Sequence, residues 1–286
     1  MPNFPIIDSH VHLYDIERLS YGWLAHVPRI NRTYALEDFD RESSPVDIDG
    51  LIFAEVAVDP GLHLKEAAMI QEMADRDSRL CGIIAHAPLE RGVAVEADLL
   101  ALMENRSVCG IRRLIETERD PSFCLAPDFL AALRLLPKHG LPFDICVKHW
   151  ALTFAIELVQ RCPEVSFVLD HIGKPGIKHG LTEPWWRQMR ELAQCPNVVV
   201  KVSGVISEAD HDAWKADDVK PYVAHVIDCF GFERVMYGSD WTVSNLTHGY
   251  SAWVEILDEL IEGASDADKR KFYRETALKT YDVEPG

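Results

Sequence analysis

Near its N-terminus the chain reads IIDSHVHLYD (residues 6–15), with Asp8, His10 and His12 on alternate positions. Successive side chains of a strand point to opposite faces, so this spacing predicts one carboxylate and two imidazoles on a common face. Neutral imidazoles so placed suit a borderline divalent cation such as Zn²⁺, and they can also hold or move a proton. Ionisable groups recur downstream, each at the end of an apolar run. Glu55 follows GLIFA, His86 follows LCGIIA, and Arg112 and Arg113 follow VCGI. Lys148 and His149 follow LPFDICV, and Asp170 and His171 follow VSFVL. Lys201 and Ser203 end NVVVKVSGV, and Asp240 and Trp241 end RVMYGSDW.

Those eight runs, beginning at residues 4, 50, 80, 108, 141, 165, 197 and 234, have strand length and are rich in Val, Ile, Leu or Phe. Such runs suit parallel strands buried on both faces. The intervening stretches carry helical periodicity. They include 63–78, 126–140 with Gly140 as a stop, 182–196 with Thr182 as a cap and Pro184 in the first turn, and a closing helix over 265–281. Eight strands alternating with helices in 286 residues predict one α/β domain over 1–286, a (β/α)8 TIM barrel. An open doubly wound sheet is the alternative, but the first strand lacks a glycine-rich turn. In a barrel the active site lies at the C-terminal strand ends, where the ionisable residues fall. The long gap over 13–48, with Tyr14, Tyr21, Trp23, His26 and Tyr34, leaves strand 1 at that end and is placed to cover part of the mouth.

The formal net charge of -17 argues against nucleic acid and anionic membranes as partners. No apolar run approaches the ~20 residues of a membrane span. No secretory leader is legible. The seven cysteines form no C-x-x-C pair and read as reduced, buried thiols, so a cytoplasmic protein is expected. The histidines outside the strand ends, and the acidic run over 208–218, read as structural or solvated. Trp185 either packs a helix on the barrel or meets a second subunit, so a homo-oligomer is one expectation.

Three segments, DSHVHLYD, LDHIGKPG and MYGSDW, together resemble the amidohydrolase superfamily. Within it they are similar to the branch of sugar-lactone hydrolases, which takes in rhamnono-, fucono- and galactono-type lactonases and related dicarboxylate lactonases. The resemblance implies a (β/α)8 barrel and a hydrolytic water activated by Asp240. His10, His12 and His171 map to the branch's strand 1 and strand 6 histidines. It implies at most one divalent metal, zinc being the best match, on His10, His12 and Asp240. Arg112 and Arg113 stand where a two-metal member has a bridging lysine, and Lys148 and His149 adjoin where a histidine ligand is usual. The expected catalytic set is Asp240, His171, His10 and His12. The expected substrate contacts are Glu55, His86, Arg112, Lys148, Lys201 and Trp241, with Trp241 stacking on a sugar ring. The resulting reading is hydrolysis of a small sugar-acid (aldono-) lactone in sugar catabolism. Two alternatives are a metal-dependent decarboxylase of an aromatic or unsaturated acid on the same scaffold, and a non-catalytic sugar-acid binder.

Overall fold

A computed structural model describes all residues, 1–286. The eight apolar runs form one parallel sheet in chain order: β1 (Ile6–Val11), β2 (Ile48–Ala54), β3 (Leu80–His86), β4 (Val108–Arg112), β5 (Phe143–Ile145), β6 (Phe167–Leu169), β7 (Val198–Val202) and β8 (Val235–Tyr237). The sheet closes between its first and last members. The His12 N–H donates to the Trp241 carbonyl at 2.5 Å, and the Asp240 N–H donates to the His10 carbonyl at 2.9 Å. The result is a (β/α)8 barrel. The helices are α1 (Leu36–Ser43), α2 (His63–Ala74), α3 (Glu96–Leu102), α4 (Pro127–Leu133), α5 (Leu152–Arg161), α6 (Trp185–Leu192), α7 (Ala216–Phe230), α8 (Tyr250–Leu260), α9 (Asp266–Arg270) and α10 (Thr276–Tyr281). None is long and apolar enough to cross a membrane.

Two apolar regions follow from the two faces of the strands. The larger lies between the sheet and the helices. The smaller fills the barrel floor with Ile7, Ile52, Ile84, Val168 and Met236, and Tyr281 of α10 plugs it from below. The expected closing helix over 265–281 is built from α9, a π turn (Lys271–Glu275) and α10. Gly140 adopts φ 68° after the 126–140 segment, as a helix stop requires. Thr182 does not cap its helix. α6 begins at Trp185 with Pro184 at the capping position and no side-chain cap bond. Trp185 is buried against Tyr222 and His225 within the chain.

The strict alternation expected along strand 1 is broken. The pairing of β1 with β2 shifts between Asp8 and Val11, as a bulge does. Asp8 therefore turns away from the barrel interior. It accepts from the backbone N–H of Ser239 at 2.9 Å, from the N–H of His10 at 3.1 Å and from the Tyr250 hydroxyl at 2.8 Å. It ties β1 to the turn after β8, while His10 and His12 stay on the inner face.

Candidate active site

His10, His12 and Asp240 bring three donor atoms within 4.8 Å of one another at the barrel mouth. His12 Nδ1 lies 2.8 Å from the Ala54 carbonyl. A carbonyl only accepts, so Nδ1 carries a proton, and Nε2 presents a lone pair whenever the ring holds no second proton. That nitrogen lies 3.3 Å from Asp240 Oδ1, and His10 Nε2 lies 3.8 Å from the same oxygen. A lone pair facing a carboxylate at this range needs something positive between them, a proton or a metal ion. His12 Nε2 and Asp240 Oδ1 thus fit one divalent cation of the zinc type, with His10 Nε2, which also faces Arg112 Nη1 at 3.2 Å, as a third donor once that contact is released. His10, Asp170 and His171 form a second donor cluster, but Arg112 Nη1 and Lys201 Nζ lie 3.0 and 3.3 Å from Asp170. Two fixed cations stand where a second metal would go.

Burial raises the pKa of the Asp240 carboxyl, but the neighbouring His171, His12 and His10 outweigh it and hold the group well below the usual carboxylate range. Burial brings His171 down to about 4, against the pull of Asp240, so its ring is neutral at pH 7. His171 Nδ1 lies 2.9 Å from Ser203 Oγ and 4.0 Å from Asp240 Oδ2, which leaves Nε2 for the cavity.

Backbone strain collects here. Of the six non-glycine residues with positive φ, four (Ala57, His171, Lys174 and Asp240) line one cavity. Such conformations cost of order 1–3 kcal/mol each and persist where the surroundings impose them. Gly204, at φ 57°, permits the arrangement. A Cβ there would lie 2.5 Å from Asp240 Oδ2 and 2.8 Å from His171 Nδ1. Gly204→Ala is expected to displace both groups and lower kcat by about tenfold to a hundredfold, as small misplacements of reacting groups do. Steady-state kinetics on a folded variant checks this.

The cavity of about 280 Å³ holds His12, His171 and Asp240 in its wall, with Glu55, Arg112, Glu116, Lys174, Cys146 and Trp23 among the others. Several expected substrate contacts lie elsewhere. Trp241 is fully buried, edge-on to Tyr34 and Phe39, and its indole N–H donates to Glu42 at 2.7 Å. It supports the turn rather than facing a sugar. The aromatic residue in the cavity wall is Trp23, from the long segment after β1. Lys148 lines a surface pocket with His149 and Trp150, because β5 ends at Ile145 and the chain turns outward. Asp144 of that strand and Cys146, the residue just after it, take the inward positions. Lys201 is fully buried beneath the site, with Nζ 2.5 Å from Asp144 Oδ2 and 3.3 Å from His10 Nδ1. His86 faces an adjoining cavity of about 430 Å³, together with His63 and Arg113. Arg112 reaches the wall with four of its five N–H donors engaged. It donates to Glu55 Oε1 at 2.9 Å, to the Glu55 carbonyl, to Asp170 at 3.0 Å and to His10 Nε2 at 3.2 Å. Glu55 serves chiefly as its counter-charge.

Sequence reading did not single out Glu116 and Lys174, which pair in the cavity wall with Nζ 2.7 Å from both carboxylate oxygens. Lys174 sits inside LDHIGKPG, which was the available signal. Glu116 lies in a loop four residues past β4 and gave none.

The amidohydrolase family model matches residues 7–283. The chain is similar to L-fucono-1,5-lactonase of Burkholderia ambifaria, with 28% identity over 92% of this chain and 90% of that one. It is also similar to L-rhamnono-gamma-lactonase of Scheffersomyces stipitis, with 23% identity over 99% and 100% of the two chains. A crystal structure of an amidohydrolase from Burkholderia multivorans with bound zinc superimposes with a TM-score of 0.87 at 25% identity, covering 98% of this chain and 100% of that one. With its barrel, its strand 1 histidines and a family match along nearly its whole length, the chain belongs to the amidohydrolase family.

Proposed function

We propose that the protein hydrolyses a neutral sugar-acid lactone to its aldonate, in sugar catabolism, with Asp240 as the base that activates water. One observation carries the choice of a neutral substrate: both cations of the cavity wall are already neutralised. Arg112 is held by Glu55 and Asp170, and Lys174 by Glu116. Three carboxylates and two cations line the space. A carboxylated substrate, as a decarboxylase requires, would meet excess negative charge and no free cation. A polyol lactone brings only donors and acceptors. The lactonase names of two relatives support the same reading.

In this reading the Asp240 carboxylate takes a proton from water as the oxygen attacks the lactone carbonyl. General-base help of this kind contributes about 10²–10⁴ in rate. With the Ser203 hydroxyl donating to Nδ1, His171 carries its proton on Nε2 and donates it to the carbonyl oxygen, where negative charge develops. Collapse of the adduct expels the ring oxygen, which recovers its proton from Asp240. Lys201 and Arg112 act from beneath, fixing His10 against Asp170. A divalent ion on His12, Asp240 and His10 would lower the pKa of a bound water and polarise the carbonyl.

Proton release in weak buffer across neutral fucono-, galactono-, arabinono- and rhamnono-lactones, with and without chelator, tests the proposal. At least one lactone is expected to be opened, and an equally sized lactone bearing a carboxylate is expected to be turned over more slowly. Failure on every neutral lactone, or release of CO₂ from an aromatic acid instead, contradicts it. Loss of turnover on chelation, restored by zinc, would assign the ion a role.

A further inference from the structure

The pair Lys174–Glu116 is built into the cavity wall more firmly than the reaction scheme requires. Lys174 Nζ lies 2.7 Å from both Glu116 oxygens, and each side chain is about one-sixth exposed. The backbone holds both ends. The Glu116 N–H donates to the Cys146 carbonyl at the end of β5 at 3.1 Å. The Lys174 N–H donates to the His171 carbonyl at 2.9 Å, and His149 donates to the Lys174 carbonyl through its backbone N–H at 3.3 Å and through Nδ1 at 2.9 Å. Lys174 itself stands at φ 46°, in a run with His171, Ile172 and Gly173 that are all left-handed. This strained run aims the imidazole of His171 and the ammonium of Lys174 into the same space.

An ammonium has three N–H donors. Two are directed at Glu116, and one remains. Glu116 accepts from Lys174 and weakly from the Cys146 thiol at 3.5 Å, so lone pairs remain on its oxygens. The pair therefore presents one charged donor and one charged acceptor 2.7 Å apart. That separation matches the oxygen–oxygen spacing of a cis vicinal diol on a lactone ring. One hydroxyl oxygen accepts from Nζ, and the neighbouring hydroxyl donates to Oε. A lone hydroxyl satisfies only half of the pair, and a trans diol on a five-membered ring sets its oxygens too far apart.

We infer that Lys174 and Glu116 form the specificity element of the site, and that among five-membered lactones they select those carrying a cis vicinal diol. This inference rests on the lactonase reading above. It goes further by assigning the recognised group and the two residues that recognise it.

The test measures kcat and KM on pairs of neutral lactones that differ in one ring diol. Ribono-1,4-lactone (cis at C2 and C3) is set against arabinono-1,4-lactone (trans) and 2-deoxyribono-1,4-lactone. The wild type is expected to favour the cis member of at least one pair by about 10–100-fold in kcat/KM, the range of charge-assisted hydrogen bonds. In Glu116→Gln and Lys174→Met that ratio is expected to fall to within about threefold, mainly through KM. Hydrolysis by the wild type without discrimination overturns the inference while leaving the lactonase reading intact. So does a variant that keeps the full preference, or one that loses kcat equally on every lactone with KM unchanged. Hydrolysis of no neutral lactone removes the lactonase reading, and the inference falls with it. The wild-type ratios alone decide the matter should a variant not fold.

Discussion

Replacing Asp240 by Asn lowers kcat by about 10²–10⁴-fold, the usual loss on removing a general base, and leaves the fold intact. The amide has the size of the carboxylate and can donate its N–H to the His12 Nε2 lone pair, so packing around the turn is preserved. It cannot take a proton from water. It also no longer offers a charge to hold something positive against the His12 lone pair 3.3 Å away. Both effects act on the reacting water, so the loss is expected in kcat and kcat/KM together rather than in KM alone. Thermal melting beside the kinetics separates this from unfolding. A variant within about tenfold of wild type would remove Asp240 from the base role.

Lys201→Met destabilises the protein by about 3–5 kcal/mol, the cost of stranding a buried charge. Lys201 Nζ lies 2.5 Å from Asp144 and 3.3 Å from Asp170, and all three side chains are fully buried. Tyr281 of α10 donates to Asp144 Oδ2 at 2.8 Å, so the cluster also ties the last helix to the barrel floor. Burial pushes the Asp144 carboxyl up, and Lys201 pulls it back down. Without the ammonium, two carboxylates share a closed interior. Removing both charges in Asp144→Asn/Lys201→Met is expected to cost less than Lys201→Met alone, because no unpaired partner remains at that position. Urea denaturation of the two variants checks this. A loss below about 1 kcal/mol for Lys201→Met would show that the pair is not a structural element.

The barrel was legible because the strands are rich in Val, Ile, Leu and Phe and most of the ionisable residues gather toward one end of each run. The depth of each group was not. Arg112 and Lys201 end strands in the sequence just as His12 does, yet they lie one layer lower, locked against Glu55, Asp170 and Asp144. Lys148 was misplaced because β5 is only three residues long, while the apolar run continues past it. Trp241 follows Asp240, whose φ of 59° turns the chain and sends the indole into the packing behind the site. Period-2 reasoning does not extend through a left-handed residue or through the bulge at Asp8. Glu116 and Trp23 sit in loops, where no periodicity reports which way a side chain faces.

The most direct measurement of the central claim is a single turnover of a neutral aldonolactone in water enriched in oxygen-18, followed by mass analysis of the product. Attack on the carbonyl by a water that Asp240 activates predicts one heavy oxygen, confined to the new carboxylate, and none in the hydroxyl released from the ring. Label in that hydroxyl, or label that enters the carboxylate just as fast in Asp240→Asn as in wild type, would contradict the account.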